Sequence, residues 1–361
     1  MWSATTFSLT ILVAKLHRQS PIRPALALVV LLLGVVSCER QPSAIQLTGQ
    51  VFGTGWSLLY LPGETAPDAD TVEAQLLEAF DVVNRSMNTY DASSTISRFN
   101  ALPPGEVMEV DWDFTYVFNE ARKLSQATGG AYDVTVLPLV SLWGFGPDGP
   151  RTFPEAEAVT AARERVGLDK IEWRPSTREL SKRAEGVALE FSSIAKGYGV
   201  DLAADALDEL GIEHFMLEVG GELQLRGMSP RGDAWRIAVE RPGEGRSGVQ
   251  AAVALTNVGV ATSGDYRNYF EHEGRRYSHL IDPRSGYPID HDVVSVTVVH
   301  GSTALADAWA TALSILGSKS AMEHALQHGL AVYILRRSGE TLEANWTPQF
   351  EEYLVSSPKP G

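Results

Sequence analysis

The chain has 361 residues, a formal net charge of −15 at pH 7 and a single cysteine, and 44% of its residues are hydrophobic. A surplus of acidic side chains repels nucleic acid and anionic lipid headgroups, so the composition excludes a protein that binds either of them through a basic surface. One cysteine excludes an internal disulfide, and this hydrophobic content is sufficient for a core that folds without one.

The N-terminal segment has the pattern of an export signal followed by a lipid-attachment site. A basic leader precedes an apolar run over residues 25–37, which is shorter than the roughly 20 residues that a membrane-spanning helix needs. The run ends in small residues before Cys38, a sequence similar to the bacterial lipobox. We therefore expect a signal peptide over 1–37, a lipidated Cys38 and a tether over 38–45. An uncleaved anchor or an incidental buried thiol is the alternative.

The rest of the chain has no long linker or fixed repeat, so we expect one domain over 46–356. Runs of β-branched or alternating apolar residues predict strands over 46–61, 187–191, 214–219, 235–240, 249–255, 277–281, 293–299 and 331–336. Apolar residues that share one helix face predict helices over 71–87, 114–128, 154–166, 196–210, 303–316 and 320–328. Because strands follow one another in the second half without intervening helices, the pattern favours an α+β fold with mixed or antiparallel sheets.

Two segments of the first half carry polar groups or glycines that a core does not need. Hydroxyl and amide side chains crowd residues 88–100, where Asp91 and the serines suit either a ligand or the cap of the next helix. Gly129 and Gly130 lie in 128–135, where they allow either close approach of the backbone to a flat ligand or the end of a helix. Both interpretations stay open for each segment.

Residues 190–199 pass from an extended segment into a helix that carries Lys196. A helix N-terminus attracts phosphate through its N–H groups, and Lys196 adds a full positive charge. An ordinary N-cap formed by Ser192 or Ser193 is the alternative. The segment 220–222 (Gly-Gly-Glu) follows a predicted strand and carries polar chemistry that a core does not need, although a tight turn or bulge explains it as well.

The third group of polar residues lies in the last hundred positions. Asp307 and Thr311 are four residues apart in the predicted helix over 303–316, so both side chains lie on one face and suit Mg²⁺. Asp307 could equally complement the dipole of the helix. His279 lies close to Asp282 between a strand and a turn, although a single histidine is usually structural. Zinc-ligand spacing, a nucleophile elbow and a Walker-type loop are absent from the sequence. Residue chemistry alone therefore indicates an exported site for a phosphate-bearing ligand and Mg²⁺.

At these residues the chain resembles the ApbE family of FAD:protein FMN transferases. The resemblance extends in the family's order over 52–54, 87–100, 128–133, 138–146, 194–201, 220–222, 235–242, 261–266, 277–288 and 307–311. Each motif is weak to moderate by itself, whereas the ordered set is specific. It implies a two-lobed α+β fold similar to the T-fold type, with FAD in the cleft between the lobes.

The resemblance also implies which residues form the site. It places flavin contacts at Phe52, Tyr90, Ala131, Tyr132, Asp133, Glu190, Lys196 and Ile281. It places Mg²⁺ ligands at Asp307 and Thr311, with Ser193 contributing its backbone carbonyl. Phe52 stands where many members have methionine, and Asn88 stands where many have serine.

From this resemblance we expect Mg²⁺-dependent transfer of FMN from FAD to a threonine or serine hydroxyl of a target protein, with release of AMP. His279 is the candidate general base because histidine titrates near neutral pH, and Asp282 is the candidate for orienting it. The expected partner is a flavoprotein subunit with a Ser/Thr-Gly-Ala-Thr-like motif, on the periplasmic side of the bacterial inner membrane. Hydrolysis of FAD to FMN and AMP, and FAD binding without catalysis, are the alternatives.

Overall fold

An eight-stranded antiparallel sheet forms the centre of the protein in this computed structural model, which describes residues 43–146, 153–241, 248–265 and 268–356. Every neighbouring pair of strands in it is antiparallel. Numbered along the chain, its strands lie in the order β1 (Ile45–Val51), β2 (Thr54–Tyr60), β6 (Phe215–Val219), β7 (Glu222–Arg226), β10 (Val258–Gly264), β15 (Val293–His300), β16 (Ala331–Ser338) and β17 (Thr341–Trp346).

Four smaller antiparallel sheets accompany the central one. The first has the order β3 (Met108–Glu109), β5 (Glu179–Lys182) and β4 (Ile171–Arg174), and the second has the order β18 (Leu354–Ser356), β9 (Gly248–Leu255) and β8 (Trp235–Arg241). The remaining two are the hairpins of β11 (Tyr269–His272) with β12 (Arg275–Ser278) and of β13 (Ile281–Asp282) with β14 (Tyr287–Pro288).

The described residues also contain nine α-helices and a 3₁₀ turn at Leu168–Lys170. In chain order the helices are α1 (Ala69–Met87), α2 (Thr95–Ala101), α3 (Trp112–Ala127), α4 (Leu137–Leu142), α5 (Ala156–Arg163), α6 (Ser192–Glu209), α7 (Thr303–Leu316), α8 (Ser318–Gln327) and α9 (Pro348–Glu351). Helices combined with antiparallel sheets confirm the α+β prediction. The described residues form one unit by their contacts.

Both faces of the central sheet are covered at its inner strands β15 and β16, as the side chains of β16 show. Val332 and Ile334 belong to a cluster formed with the helices, whereas Tyr333 and Leu335 belong to a second cluster with β8 and β9. Successive strand residues point to opposite faces, so each face receives every second side chain. Double burial also explains why the neighbouring strand β15 is apolar in nearly continuous runs instead of alternating.

The predicted strand over 187–191 is wrong, because this segment has no regular secondary structure and does not belong to any sheet in the described structure. The side chain of Asn100 takes the place of a neighbouring strand. Its Oδ1 accepts a hydrogen bond from Leu189 N–H at 2.8 Å, and its Nδ2 donates to the Leu189 carbonyl at 2.8 Å. The predicted strand over 277–281 is not continuous, because β12 ends at Ser278 and β13 begins at Ile281.

Helices α6 and α7 approach each other closely at Gly197. A Cβ atom on Gly197 would lie 2.5 Å from the carbonyl oxygen of Thr303 and 2.8 Å from Cα of Ala304. At this contact, Asp201 of α6 caps α7 by accepting hydrogen bonds from Thr303 N–H at 2.7 Å and Ala304 N–H at 3.0 Å. The start of α7 is therefore satisfied by a side chain from its neighbour.

The signal peptide, Cys38 and most of the tether predicted from the sequence lie outside the described residues. Within the described ranges, none of the helices combines the length and the apolar character that crossing a membrane requires.

Candidate functional site

Two adjoining cavities form a cleft beside the N-terminal end of α6. The first, of about 630 Å³, has mostly apolar walls and is named the apolar cavity; Phe52, Met87, Leu137 and Phe145 line it. The second, of about 390 Å³, is named the polar cavity, and Ser193, His279, Asp307 and Thr311 line it. The residues that line both are Tyr90, Val140, Phe145, Glu190, Ser192 and Lys196. One ligand with an apolar part and a charged part can therefore occupy both cavities.

Phe52 lies in the two-residue turn between β1 and β2, in the left-handed backbone region with φ of 51°. This region is uncommon for a bulky residue. The ring is held edge-on against Phe80 at 5.7 Å between centroids, and it fills the space that a Cβ atom on Gly199 would need. Packing thus fixes the Phe52 ring at the wall of the apolar cavity.

The segment 88–100 contributes both a cap and a cavity wall. Ser94 caps α2 by accepting a hydrogen bond from Ser97 N–H, which confirms the capping interpretation for that serine. Asn88 and Tyr90 line the apolar cavity, where Asn88 Oδ1 accepts a hydrogen bond from Tyr90 N–H at 2.9 Å. The Tyr90 side chain is 74% exposed at this position.

The two glycines of the segment 128–135 end helix α3. Gly129 and Gly130 both have positive φ, and Gly130 N–H donates to the carbonyl of Ser125. This hydrogen bond is the six-to-one bond of a helix C-cap, so the capping interpretation is confirmed for this pair. Neither glycine lines the cleft.

The chain after that cap enters the polar cavity. Tyr132 and Asp133 line it, and the Tyr132 hydroxyl accepts a hydrogen bond from Ser193 Oγ at 3.0 Å. Asp133 Oδ1 accepts hydrogen bonds from the N–H and hydroxyl of Thr135. The Ala131 side chain is fully buried and is not among the residues that line the cleft. Of the predicted flavin contacts at residues 131–133, Tyr132 and Asp133 therefore line the polar cavity and Ala131 does not.

The start of α6 differs from the N-cap that the sequence suggested. Phe191 occupies the N-cap position without a side-chain hydrogen bond, whereas Ser192 is the first helical residue and Ser193 Oγ donates to Tyr132. The serine N-cap interpretation is therefore wrong. Glu190 Oε1 accepts a hydrogen bond from Ser192 N–H at 2.8 Å, so this carboxylate already uses one of the N–H groups expected to bind phosphate.

Lys196 projects from the first turns of α6 to the junction of the two cavities. Its Nζ lies 2.6 Å from Oε2 of Glu222, the first residue of β7. Glu222 lines the polar cavity and is 3% exposed. Sequence reasoning did not assign a site role to Glu222, although the segment 220–222 belongs to the family resemblance. Glu222 directly follows the pair Gly220-Gly221, which forms the β6–β7 turn.

Asp307 and Thr311 both line the polar cavity one turn apart on α7, as the spacing predicted. Because Asp201 and Ser302 cap α7, the carboxylate of Asp307 is not needed as a complement to the helix dipole. It is 6% exposed, and its Oδ2 accepts a hydrogen bond from Gly197 N–H at 3.3 Å. A buried carboxylate beside a hydroxyl provides the hard oxygen donors that Mg²⁺ prefers.

The described residues lack any group of three or more histidine, cysteine, aspartate and glutamate side chains arranged for a metal ion. The predicted site does not need such a group, because its donors are the carboxylate of Asp307, the hydroxyl of Thr311 and a backbone carbonyl of Ser193. Ser193 also lines the polar cavity. Burial raises the pKa of Asp307, although the ammonium of Lys196 opposes this shift. A cation beside Asp307 would favour its charged form, so the residues present fit Mg²⁺.

Two further carboxyl groups of the cleft also bind protons more tightly than they would in water. Burial raises the pKa of Glu190. Burial, together with the negative charge of Asp307, raises the pKa of Glu222 to about 7, against the opposing ammonium of Lys196. Carboxyl groups with raised pKa values that face a cleft are typical of functional sites.

His279 lines the polar cavity with Ile281, and its ring is fixed by the base of the β11–β12 hairpin. Its Nδ1 lies 2.9 Å from the carbonyl oxygen of Asn268. A carbonyl oxygen only accepts hydrogen bonds, so Nδ1 carries the proton and Nε2 is the nitrogen that accepts one.

The predicted partnership of Asp282 with His279 is wrong. The carboxylate of Asp282 instead binds the guanidinium of Arg284, with Nη2–Oδ2 at 2.8 Å and Nε–Oδ1 at 2.9 Å. Asp282 Oδ1 also accepts a hydrogen bond from Arg284 N–H, and Asp282 is not among the residues that line the cleft. The orienting group for His279 is therefore the backbone carbonyl of Asn268, which sequence patterns do not reveal.

Comparison with known proteins gives consistent matches over most of the chain. The profile of the ApbE family matches residues 52–334. An FAD:protein FMN transferase of Vibrio cholerae is 39% identical over 337 residues, which cover 93% of this chain and 97% of the relative. One of Escherichia coli K12 is 35% identical over 344 residues, with coverage of 91% and 97%.

Two solved structures agree with these sequence matches. The flavin transferase ApbE from Vibrio cholerae superposes with a TM-score of 0.81 at 37% identity, over 86% of this chain and all of that one. The apo form of the Pseudomonas stutzeri flavinyl transferase ApbE gives a TM-score of 0.81 at 36% identity, over 88% and 98%. This chain belongs to the ApbE family.

Proposed function

We propose that this protein is a Mg²⁺-dependent FAD:protein FMN transferase. Relatives at 35–39% identity are named FAD:protein FMN transferases. The observation that carries the proposal is the meeting of an apolar cavity and a polar cavity at Lys196, with the buried carboxylate of Asp307 and the hydroxyl of Thr311 in the polar part. FAD combines flat ring systems with a charged diphosphate, so its chemistry matches a cleft of this kind.

The reaction is a phosphoryl-type transfer. A threonine or serine hydroxyl of the acceptor attacks the phosphorus of the FMN half of FAD, the bond from that phosphorus to the bridging oxygen breaks, and AMP leaves with that oxygen. Lys196 holds the diphosphate by charge. Nε2 of His279 accepts the proton of the attacking hydroxyl, while the hydrogen bond from Nδ1 to Asn268 keeps the ring in the required tautomer.

Asp307 and Thr311, together with the carbonyl of Ser193, would hold Mg²⁺. When bound, this ion supplies positive charge that stabilises the negative charge developing on the leaving phosphate. The closely packed α6–α7 contact at Gly197 keeps Asp307 beside the start of α6, so the carboxylate is already in place before FAD arrives.

We further propose that the chain is exported and anchored through a lipid on Cys38, on the periplasmic side of the inner membrane. Support comes from the sequence pattern of residues 1–38. The acceptor would be a flavoprotein subunit with a Ser/Thr-Gly-Ala-Thr-like motif, and the acidic composition disfavours nucleic acid as a partner.

One assay separates this function from its two alternatives. The purified protein is mixed with FAD, Mg²⁺ and a peptide that carries the acceptor motif, and the products are analysed by mass spectrometry. We expect the peptide to gain FMN and AMP to appear. Free FMN with an unmodified peptide would instead identify an FAD hydrolase, and intact FAD after long incubation would identify a binding protein without catalysis.

Asp307→Asn tests the metal assignment. The substitution keeps the size of the side chain but removes its charge, so FMN transfer should fall by roughly 100-fold or more, the scale for removing one charge-stabilising group from an active site. FAD binding, measured by flavin fluorescence, should persist. Asp205→Asn makes the same charge change at an exposed position of α6 and should transfer FMN normally. Transfer at the normal rate by Asp307→Asn would show that the assignment is wrong.

A further inference from the structure

Glu222 is a buried carboxylate beside the only lysine of the cleft lining in the described residues. Its side chain is 4% exposed, whereas that of Lys196 is 30% exposed, and their Oε2 and Nζ atoms are 2.6 Å apart. Lys196 thus contacts the protein at Glu222 and also lines both cavities of the cleft. An ammonium group has three N–H donors, so the contact with Glu222 does not by itself exclude a contact with a phosphate.

The backbone that carries Glu222 is fixed by the turn between β6 and β7. Gly220 and Gly221 form this two-residue turn with φ of 60° and 103°, and Gly221 N–H donates to Oε1 of Glu218 at 2.7 Å. A Cβ atom on Gly220 would lie 2.7 Å from the side chain of Thr54 on the neighbouring strand. Glu222 therefore begins β7 in a position that neighbouring residues determine, and it provides a rigid anchor for a flexible lysine.

Burial of a carboxylate without a partner is unfavourable, so the ion pair with Lys196 stabilises the charged form of Glu222 in its buried position. Lysine has a long, freely rotating side chain that loses much conformational freedom when one geometry is required. An anchor that has already fixed the amine removes this cost from the reaction and keeps the positive charge at the junction of the cavities.

We propose that Glu222 is a positioning residue for FMN transfer, which acts through Lys196 by holding its ammonium group where the diphosphate of FAD binds. This inference rests on the proposed function. Glu222 itself does not contact the reacting atoms. Its contribution is therefore expected only when Lys196 is present.

The test is a double-mutant cycle with Glu222→Gln, Lys196→Met and the double variant, in the full-length protein. Glu222→Gln should lower kcat for transfer about 10- to 100-fold, the range for outer partners that orient groups in a metal site, and should change the KM for FAD much less. Lys196→Met should cost at least as much. The double variant should be no slower than Lys196→Met alone, because the two residues act as one unit.

Two further variants separate positioning from a general structural role. Glu222→Asp keeps the charge on a shorter side chain and should recover part of the lost kcat. Glu213→Gln neutralises an exposed glutamate just before β6 that does not line the cleft, and it should leave kcat unchanged. Losses that multiply in the double variant, or a Glu222→Gln enzyme with normal kcat, would overturn the inference.

The same cycle is measured in FAD affinity by flavin fluorescence, so that the result does not depend on transfer alone. Absence of transfer by the wild-type protein would overturn the proposed function. The inference is then decided by affinity: non-additive effects of Glu222→Gln and Lys196→Met on the Kd for FAD support it, and independent effects overturn it.

Discussion

Two buried carboxyl groups, Glu222 and Asp307, line the polar cavity with Lys196, and the positive charge of Lys196 acts on both. Each carboxyl group is nearly inaccessible to water, and a single positive charge does not compensate for both. Burial raises the pKa of both carboxyl groups against the opposing ammonium of Lys196, and the negative charge of Asp307 adds to burial in bringing the pKa of Glu222 to about 7. The unliganded site is therefore less favourable at high pH than at low pH.

This imbalance predicts how the stability of the FAD-free and metal-free protein depends on pH. The pKa of Glu222 is raised from 4.5 to about 7 in the folded protein, so the folded state binds the proton more tightly than the unfolded state. Its contribution is fully present below pH 4.5 and is lost as pH rises towards 7. We expect a loss of roughly 1–3 kcal/mol in the free energy of unfolding over this interval, measured by urea denaturation.

Glu222→Gln should flatten that part of the pH profile, because the amide does not titrate. Glu213→Gln, at an exposed position before β6, is the matched control and should leave the profile unchanged. A Glu222→Gln profile that still falls by the full amount between pH 4.5 and 7 would contradict this assignment.

At the scale of the elements, the site depends on how closely α6 and α7 approach. Gly197 removes the side chain that would separate them, and Gly259 of β10 similarly leaves room for Thr303. Asp201 then fastens the start of α7 to α6. Together these contacts bring Asp307 of one helix to the N–H of Gly197 on the other.

Gly197→Ala tests the close approach. Alanine raises helix propensity by about 1 kcal/mol, but its Cβ would meet the backbone of Thr303 at 2.5 Å, and overpacking of this kind costs about 1–3 kcal/mol. Because backbone atoms cannot rotate away, we expect a net loss of up to about 2 kcal/mol in urea denaturation and a slower FMN transfer. Gly301→Ala is the control, because nothing lies within 4 Å of a Cβ atom there. A Gly197→Ala protein more stable than wild type would contradict the packing argument.

At the scale of the whole molecule, one sheet separates two hydrophobic clusters. Leu313 of α7 belongs to the cluster on the helix side, and Leu255 of β9 belongs to the cluster on the other side. Strands β15 and β16 contribute side chains to both clusters. Loss of either cluster would expose one face of the same strands, so the two clusters should unfold together.

Leu313→Ala and Leu255→Ala test this cooperativity. Both side chains are almost completely buried, and replacement of a buried leucine by alanine costs about 2–5 kcal/mol. Each variant should shift one urea transition that is the same by far-UV circular dichroism and by tryptophan fluorescence. Two separate transitions, with only one affected by each substitution, would show that the clusters are independent.

Local patterns predicted much of the fold. The helix over 303–316 has the predicted bounds, and β6, β8, β9, β15 and β16 lie where apolar runs indicated strands. Periodicity succeeds for these elements because the burial of one or both faces of a helix or strand determines which neighbouring residues are apolar. It failed at 187–191, where an apolar segment is buried like a strand but the amide of Asn100, far away in the chain, takes the partner's place.

The sequence by itself determined those parts of the site that depend on short spacing. Asp307 and Thr311 share a helix face because they are four residues apart, whatever surrounds the helix. Only the tertiary structure decided that Lys196 pairs with Glu222 and that Asn268, instead of Asp282, orients His279. These contacts join strands, loops and helices that are far apart in the chain. They form only when the sheet packs against its neighbours. Contacts of this kind leave no periodic pattern among neighbouring residues, so sequence patterns do not predict them.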